Sequence, residues 1–276
     1  MAASRAPPLK TGRWHGACLA LVLAGCALPS VRPDRPLFNG RDLSGFYTWL
    51  VDTRQEDPRR VFTVMDRAIR ISGDGLGYLA TREEYENYRL RLEFKWGRTN
   101  TAWGGRTGKA RDSGVFLHAT GSDGNSFDGQ GAFMAAIECN VFQGATGDFL
   151  LIRGHDHEPI HPRLRYRASH QADAEGWRGY DPRGEPRSLE RWGRVNWLAK
   201  DPRWRGEFDF RGRADVEFPA GQWNELECRC EGDRIEIWLN GVKVNEAREV
   251  WPRRGKILLQ CEGSEVFYRN IRLENR

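Results

Sequence analysis

The sequence lacks the features of a helical or membrane-spanning protein. No long amphipathic helical pattern runs through its 276 residues, which argues against a bundle of helices. The apolar run at residues 17–24 is too short to cross a bilayer core of ~30 Å, which requires ~20 apolar residues. The sequence therefore favours neither a helix bundle nor a permanent transmembrane helix.

Cysteine is sparse, and its spacing is not that of a zinc site. Of the six cysteines, four lie after residue 130, and none of these has the paired spacing or the histidine neighbours of a zinc ligand. Cys228 and Cys230 lie two apart on one predicted strand, a poor geometry for bonding each other. A bridge from either of them to Cys139 or Cys261 remains open.

A recognisable metal-binding pattern is also missing. The segment 155–161 contains three histidines, an aspartate and a glutamate, but their spacing matches no known site. We interpret it as a solvated polar loop and predict no metal site. The sequence requires no cofactor with certainty, and a divalent metal ion is kept as an alternative.

Blocks of like charge are absent as well. The 43 Lys and Arg residues and 38 Asp and Glu residues are interspersed, so the net charge of +5 is spread over a mixed surface. This pattern, together with the export signal described next, predicts no nucleic-acid partner.

The N-terminus has the pattern of an export signal. Arg5, Lys10 and Arg13 precede the apolar run 17–24. The tetrad Leu23-Ala24-Gly25-Cys26 resembles the bacterial lipobox, which implies cleavage before Cys26 and acylation of its thiol. An ordinary signal peptide with a chance cysteine is the alternative. We predict a signal peptide at 1–25, a tether at 26–36, and a lipoprotein of the bacterial cell envelope that faces the periplasm and contacts the membrane only through its lipid anchor.

The rest of the chain reads as many short strands. In Tyr88–Trp96, leucines and aromatic residues alternate with charged ones, the period of a half-buried strand. Asn240-Gly241 predicts a tight hairpin. Further strands are predicted at 113–119, 135–142, 149–153, 224–231, 234–239, 256–261 and 266–273, whereas 153–222 is interpreted as a long functional loop region. The predicted fold class is all-β, a two-sheet sandwich or jelly roll formed by one domain at 37–276.

Several motifs identify a family. They are Leu37–Phe46 (LFNGRDLSGF), Asp112–His118 (DSGVFLH), Ile137–Asn140 (IECN), Trp238–Gly241 (WLNG), and Ile257–Gln260 (ILLQ) with Glu262-Gly263. Together with shorter matches in the same order, they resemble the 3-keto-disaccharide hydrolase domain family from Leu37 to Leu273. The resemblance implies a jelly roll similar to the concanavalin A-like lectins and glucanases. It also implies action on a sugar whose ring hydroxyl has been oxidised to a 3-ketone.

Two residues are candidates for catalysis. Alternation along Ile137–Val141 places Glu138 and Asn140 on the face opposite the apolar residues, and Glu138 matches a glutamate of the family motif. Glu138 is therefore predicted to act as an acid or base, with an ion pair on a solvated sheet face as the alternative. His118 shares strand parity with Gly114 and titrates near neutral pH, so it is a second acid–base candidate or a structural imidazole.

Other residues are candidates for binding substrate, and each has a structural alternative. Trp197 and Trp204 can stack on sugar rings, or they can fasten their loop to the sandwich. The resemblance adds Gln260, Glu262, Asn140, Gln143 and Asp148 as substrate-binding candidates. For Glu262, the alternative is an ion pair with Arg269 across a hairpin. Two of these depart from the family pattern, since Asn140 replaces a glutamine and Gln143 replaces a carboxylate. Two hypotheses follow: an enzyme that cleaves 3-keto-glycosides or 3-keto-disaccharides, or a non-catalytic carbohydrate-binding lipoprotein.

Overall fold

The computed structural model describes residues 1–2, 35–127 and 131–275. The chain divides into two units, Met1–Val31 and Arg32–Arg276. The predicted signal peptide from residue 3 onward, Cys26, and the tether up to residue 34 lie outside the described residues. Among the residues that are described, no helix is long and apolar enough to cross a membrane.

The second unit consists of strands joined by turns and one short 3₁₀ turn at Trp103–Gly105. The strands are β1 Arg35–Pro36, β2 Phe46–Leu50, β3 Phe62–Met65, β4 Ala68–Ile71, β5 Leu76–Thr81, β6 Tyr88–Asn100, β7 Asp112–Thr120, β8 Ala135–Phe142, β9 Phe149–Ile152, β10 Arg163–Ala172, β11 Arg178–Tyr180, β12 Glu185–Glu190, β13 Gly193–Val195, β14 Asn224–Glu231, β15 Arg234–Leu239, β16 Val242–Trp251, β17 Lys256–Glu262 and β18 Ser264–Asn275.

These strands form two antiparallel sheets. The larger sheet has the order β11-β10-β16-β15-β14-β6-β18-β4-β3, with β1 paired to β18 and β12 paired to β10. The smaller sheet has the order β13-β9-β8-β7-β17-β5-β2. The prediction of an all-β, two-sheet jelly roll is confirmed.

The core lies between the two sheets and follows the alternation of the sequence. Every second residue of β6 from Tyr88 to Trp96 is buried. Ile137, Cys139 and Val141 of β8 belong to the same apolar cluster. Because successive side chains of a strand point to opposite faces, the residues between them face away from this core. On β8, those residues are Glu138 and Asn140.

The region 153–222 differs from its prediction as a long loop, since it contains β10 to β13. In β10, buried Leu164, Tyr166 and Ala168 alternate with exposed residues. Strand β12 is almost wholly exposed and is defined by its pairing with β10. Because it has no buried face, its sequence shows no alternation of apolar and polar residues. The end of the predicted tether is also a strand, because Arg35 pairs with Leu273.

The cysteines that the sequence left open for bridging are buried. Cys139, Cys228, Cys230 and Cys261 are all free thiols in this structure. Each is part of the core cluster between the sheets. Here they contribute apolar volume to the core.

Candidate active site

A cavity of about 250 Å³ opens on the face of the smaller sheet that points away from the core. Neighbouring strands bring its central residues together, since Phe116 of β7 pairs with Glu138 of β8 and Gly114 pairs with Asn140. Strand β17 lies on the other side of β7, where Leu258 pairs with Phe116. The side chains with charged or amide groups that line the cavity are Arg106, Asp112, Glu138, Asn140, Arg153, Arg194, Gln260 and Glu262.

Glu138 lines this cavity and is only 2% exposed. Its neighbours in β8, Ile137 and Cys139, are buried in the core on the opposite face. The strand alternation in the sequence therefore placed Glu138 and Asn140 on the correct face.

Gly114 makes room for the polar groups of the cavity. A Cβ atom added to Gly114 would lie 2.3 Å from Oε1 of Glu138 and 3.0 Å from Oε1 of Gln260. Real Cβ atoms do not approach other atoms at the shorter of these distances. Both oxygens therefore rest against the backbone of β7, and a side chain at position 114 would displace the Glu138 carboxyl group.

Burial and neighbouring charges change the acidity of two carboxyl groups. Burial raises the pKa of Glu138 well above its usual range, and the nearby Asp112 and Glu262 carboxylates raise it further. The positive charge of Arg194 opposes this increase. Burial and Glu262 also raise the pKa of Asp112, against the effect of Arg106 and Arg194. Glu138 therefore holds its proton at a higher pH than an ordinary glutamate does.

Arg106 joins the two other carboxyl groups of the cavity. Its Nη2 atom lies 3.1 Å from Oδ2 of Asp112 and 3.1 Å from Oε1 of Glu262. Its guanidinium group also lies over the ring of Phe142, 5.2 Å from the centroid. The cavity thus contains a cation held in place by two anions and an aromatic ring.

Gln260 is oriented by Glu262. The Nε2 group of Gln260 donates a hydrogen bond of 2.9 Å to Oε2 of Glu262, which fixes which end of the amide carries the oxygen. Its Oε1 atom is buried and has no hydrogen-bond partner among the described residues. This oxygen and the Glu138 carboxyl group both approach the same point beside Gly114.

His118 does not join Glu138, and the parity argument is wrong at this position. A β-bulge interrupts the pairing of β7 with β8 between Leu117 and Thr120, and His118 has a positive φ of 55°. Its ring packs edge-on against Tyr88 of the core, and Nδ1 lies 2.9 Å from the carbonyl oxygen of Pro252. Burial lowers the pKa of His118 to about 4. The bulge shifts the parity of the strand, so this geometry favours the structural alternative.

Gln143 and Asp148 do not line the cavity, and neither do the two candidate tryptophans. Within the described residues, the cavity lining includes none of Gln143, Asp148, Trp197 and Trp204. Oε1 of Gln143 accepts a hydrogen bond of 3.1 Å from Arg111, and its Nε2 group donates one of 3.0 Å to Asp209. These bonds fasten the chain around residue 209 to the turn that follows β8.

Asp148 and the two tryptophans stabilise the same turn. The fully buried Asp148 accepts 2.7 Å and 2.9 Å hydrogen bonds from the backbone N–H of Trp197 and from Nζ of Lys200. The indole of Trp197 donates to Gly144, and that of Trp204 donates to Gln143. The geometry therefore favours the alternative in which both tryptophans fasten their loop to the sandwich.

Arg106, Asp112 and Arg194 line the cavity, although sequence reasoning did not select them. Asp112 had a usable signal, because it shares strand parity with Gly114 and begins one of the family motifs. Arg106 and Arg194 gave no signal, since they are two of many interspersed arginines and reach the cavity only through the fold.

The described residues contain no group of three or more histidine, cysteine, aspartate or glutamate side chains arranged to hold a metal ion. In the segment 155–161, Glu158 accepts hydrogen bonds from the backbone N–H of Ser122 and from the side chain of Asn125. It thereby connects that loop to the chain that follows β7.

A two-sheet jelly roll with a carboxyl-lined cavity on one sheet is a fold and site suited to acid–base chemistry on a polar ligand. The chain belongs to the family described as the 3-keto-alpha-glucoside-1,2-lyase-like domain, whose profile matches residues 33–274. This confirms the resemblance seen in the sequence and makes carbohydrate the ligand class that the family implies. No curated protein matches the chain.

Comparison with solved structures finds similar chains at low sequence identity. A protein from Parabacteroides distasonis, described provisionally as a glycosyl hydrolase, is 16% identical with a TM-score of 0.51, covering 88% of this chain and 94% of its own. The carbohydrate-binding module CBM66 from Bacillus subtilis is 12% identical with a TM-score of 0.45, covering 84% and 96%. A β-glucanase from Bacillus licheniformis is 11% identical with a TM-score of 0.45, covering 90% and 100%.

Proposed function

We propose that this protein cleaves the glycosidic bond of 3-keto-glycosides or 3-keto-disaccharides, with Glu138 as the acid–base group. The observation that carries the proposal is the cluster in the cavity: a buried Glu138 of raised pKa beside Asp112, Glu262 and Arg106. A carboxyl group tuned in this way exchanges protons nearer to neutral pH than a solvated one.

The proposed reaction is an elimination. A ketone at C3 acidifies the proton at C2, and the ionised Glu138 removes that proton to give an enolate. The enolate electrons then re-form the ketone, a C1–C2 double bond forms, and the C1–O bond breaks. The leaving oxygen takes the proton back from Glu138, and water later adds across the double bond to complete a net hydrolysis.

The remaining groups of the cavity match the charges of this reaction. Arg106 and Arg194 supply positive charge for the enolate oxygen, a role that preorganised cations fill without reorganisation. Asp112 and Glu262 hold Arg106 in place. Asn140 and the unpaired Oε1 of Gln260 are suited to hydrogen-bond the hydroxyl groups of the sugar.

The competing hypothesis of a non-catalytic binding protein rested on Gln143, which replaces a carboxylate of the family pattern. Gln143 lies outside the cavity and pairs with Arg111 and Asp209. The amide at position 143 therefore removes no carboxyl group from the cavity, where Asp112, Glu138 and Glu262 are all present. This geometry supports the enzyme over the binding protein.

Turnover of a defined substrate tests the proposal. Purified mature protein is incubated with a 3-keto-disaccharide, and the release of monosaccharide is followed by chromatography, in parallel with and without added divalent metal or chelator. We expect release without added metal. Saturable binding of the disaccharide without release would instead favour the carbohydrate-binding protein.

We also propose that the protein is exported and anchored to a membrane by acylation of Cys26. The support is the sequence pattern of basic residues, the apolar run 17–24 and the lipobox-like tetrad that ends at Cys26. Acyl chains would hold the jelly roll at a membrane surface of the cell envelope, facing the periplasm.

A further inference from the structure

The cavity changes character along its strands, and Glu138 lies at the boundary. Along β8, the residues on this face run from Asn140 through Glu138 to Ala136. Along β17, the corresponding series runs from Glu262 through Gln260 to Leu258. Because β8 and β17 are each antiparallel to β7, they run in the same direction. The side chains on this face therefore change from polar to apolar in the same direction along both strands.

The apolar end is lined by large side chains, beside which the charged Arg153 stacks on the ring of Phe127. Phe133, Ile152 and Trp192 line the cavity there, and Ile152 and Phe133 also pack with Ala136 and Leu258 in a second apolar cluster. Trp192 directly precedes β13, whose Gly193 pairs with Leu151 of β9. This register places Trp192 beside Ile152 at the edge of the smaller sheet.

Trp192 presents its ring to solvent at the mouth of the cavity. It is 57% exposed, although it is one of the largest apolar side chains in the protein. The polar end, by contrast, is formed by largely buried carboxyl and amide groups. The cavity volume of about 250 Å³ lies below the ~300–1,000 Å³ typical of sites that enclose a whole ligand. A ligand larger than the cavity would therefore extend over its exposed rim, where Trp192 lies.

We propose that this apolar end, with Trp192 as its platform, is the subsite for the leaving group of the substrate. The inference rests on the proposed function and deepens it. Glu138 lies where the two ends meet, so a 3-keto sugar among the polar groups would place its C1–O bond beside Glu138 and its leaving group over Trp192. The substrate class is then a 3-keto-glycoside whose leaving group has a flat or apolar ring face, either an aryl group or a second pyranose.

Three substrates with the same 3-keto-glucosyl group separate these possibilities: a methyl glycoside, a nitrophenyl glycoside and a disaccharide. In Trp192→Ala, kcat/KM should fall about 3- to 10-fold for a leaving group that stacks on the indole, and it should change less than about 2-fold for methyl. A loss with nitrophenyl alone identifies an aryl leaving group, and a loss with the disaccharide as well identifies the shared ring-face chemistry. Equal changes for all three substrates, or no change, would overturn the subsite.

Trp251→Ala is the matched control, because Trp251 is also exposed, at 37%, but belongs to the larger sheet. It should alter none of the three rates. If the unaltered protein cleaves none of the substrates, the proposed function fails, and the subsite is judged by binding. Phenyl and methyl glucosides are then titrated, and Trp192→Ala must weaken the phenyl compound alone. Equal affinities of both proteins for the phenyl compound would overturn the subsite independently of catalysis.

Discussion

The acidity of Glu138 comes from its surroundings rather than from the residue itself. Burial and the Asp112 and Glu262 charges raise its pKa, so its ionised form appears at a higher pH than that of a solvated glutamate. If ionised Glu138 removes the C2 proton, kcat/KM rises with pH through that raised pKa. The acidic limb of the pH profile should therefore lie above pH 4.5, the ordinary value for glutamate.

Replacement of Glu138 by glutamine tests this role. The amide is nearly isosteric with the carboxyl group but cannot accept the C2 proton, so we expect kcat to fall by ~10²–10⁴ while the fold and most substrate affinity remain. Circular dichroism controls for folding, and the acidic limb should disappear from any residual rate. A rate equal to that of the unaltered protein would exclude Glu138 as the base.

Gly114 offers a test that replaces none of the polar side chains of the cavity. In Gly114→Ala, the new methyl group would lie 2.3 Å from Oε1 of Glu138, so that flexible carboxyl group must move. We expect a loss of about 10²-fold in kcat/KM, the order of effect for a catalytic group displaced by ~1 Å. Gly45→Ala is the control, because its nearest contact would be an ordinary 3.4 Å. Full activity in Gly114→Ala would contradict the placement of the Glu138 carboxyl group.

At the scale of strands, the sequence predicts well wherever alternation continues without interruption. The period of two in β6 and β8 identified the core face of each strand, and with it the positions of Glu138 and Asn140. His118 was assigned to the wrong face because the bulge in β7 shifts the parity and gives no signal in the sequence. Strand β12 was missed because backbone pairing, not burial, defines it.

The turn after β8 depends on Trp197 for its packing. Trp197 is buried in the core cluster, and its indole donates to the carbonyl oxygen of Gly144. We expect Trp197→Ala to destabilise the fold by ~3–5 kcal/mol, since it leaves a large cavity in the core. Trp192→Ala, at an exposed site, should change stability by less than ~0.5 kcal/mol. Urea denaturation of both variants measures the difference, and equal midpoints would return Trp197 to the ligand-binding candidates.

At the scale of the whole molecule, the attachment of the chain to a membrane depends on Cys26 in our proposal. Cys26→Ala removes the thiol that would be acylated. Once the apolar run 17–24 is removed with the signal peptide, the variant has no acyl chain to hold its domain at the membrane. We expect the variant to move from the membrane fraction to the soluble fraction, with unaltered circular dichroism. Unchanged membrane association would refute the anchor.

Glu217 is a buried carboxyl group, outside the cavity, through which the stability of the jelly roll should depend on pH. Its Oε1 accepts a 2.7 Å hydrogen bond from the indole of Trp96, and its Oε2 lies 2.8 Å from Oγ1 of Thr146. Burial raises the pKa of Glu217 from 4.5 to about 7. The folded state therefore favours the protonated form, which can donate to Thr146 while Thr146 donates to the carbonyl oxygen of Phe142.

The sign of the effect follows from this shift. Below pH 4.5 both states hold the proton and there is no penalty, whereas between pH 4.5 and about 7 the unfolded chain ionises and the folded state loses stability. The loss reaches about 3 kcal/mol, at roughly 1.4 kcal/mol for each pKa unit. Glu217→Gln keeps both hydrogen bonds, with Nε2 donating to Thr146 and Oε1 accepting from Trp96. In urea denaturation, the free energy of unfolding of the variant should therefore exceed that of the unaltered protein at pH 8 and equal it near pH 4.5. A difference in stability that does not change with pH would exclude Glu217 as the source of this pH dependence.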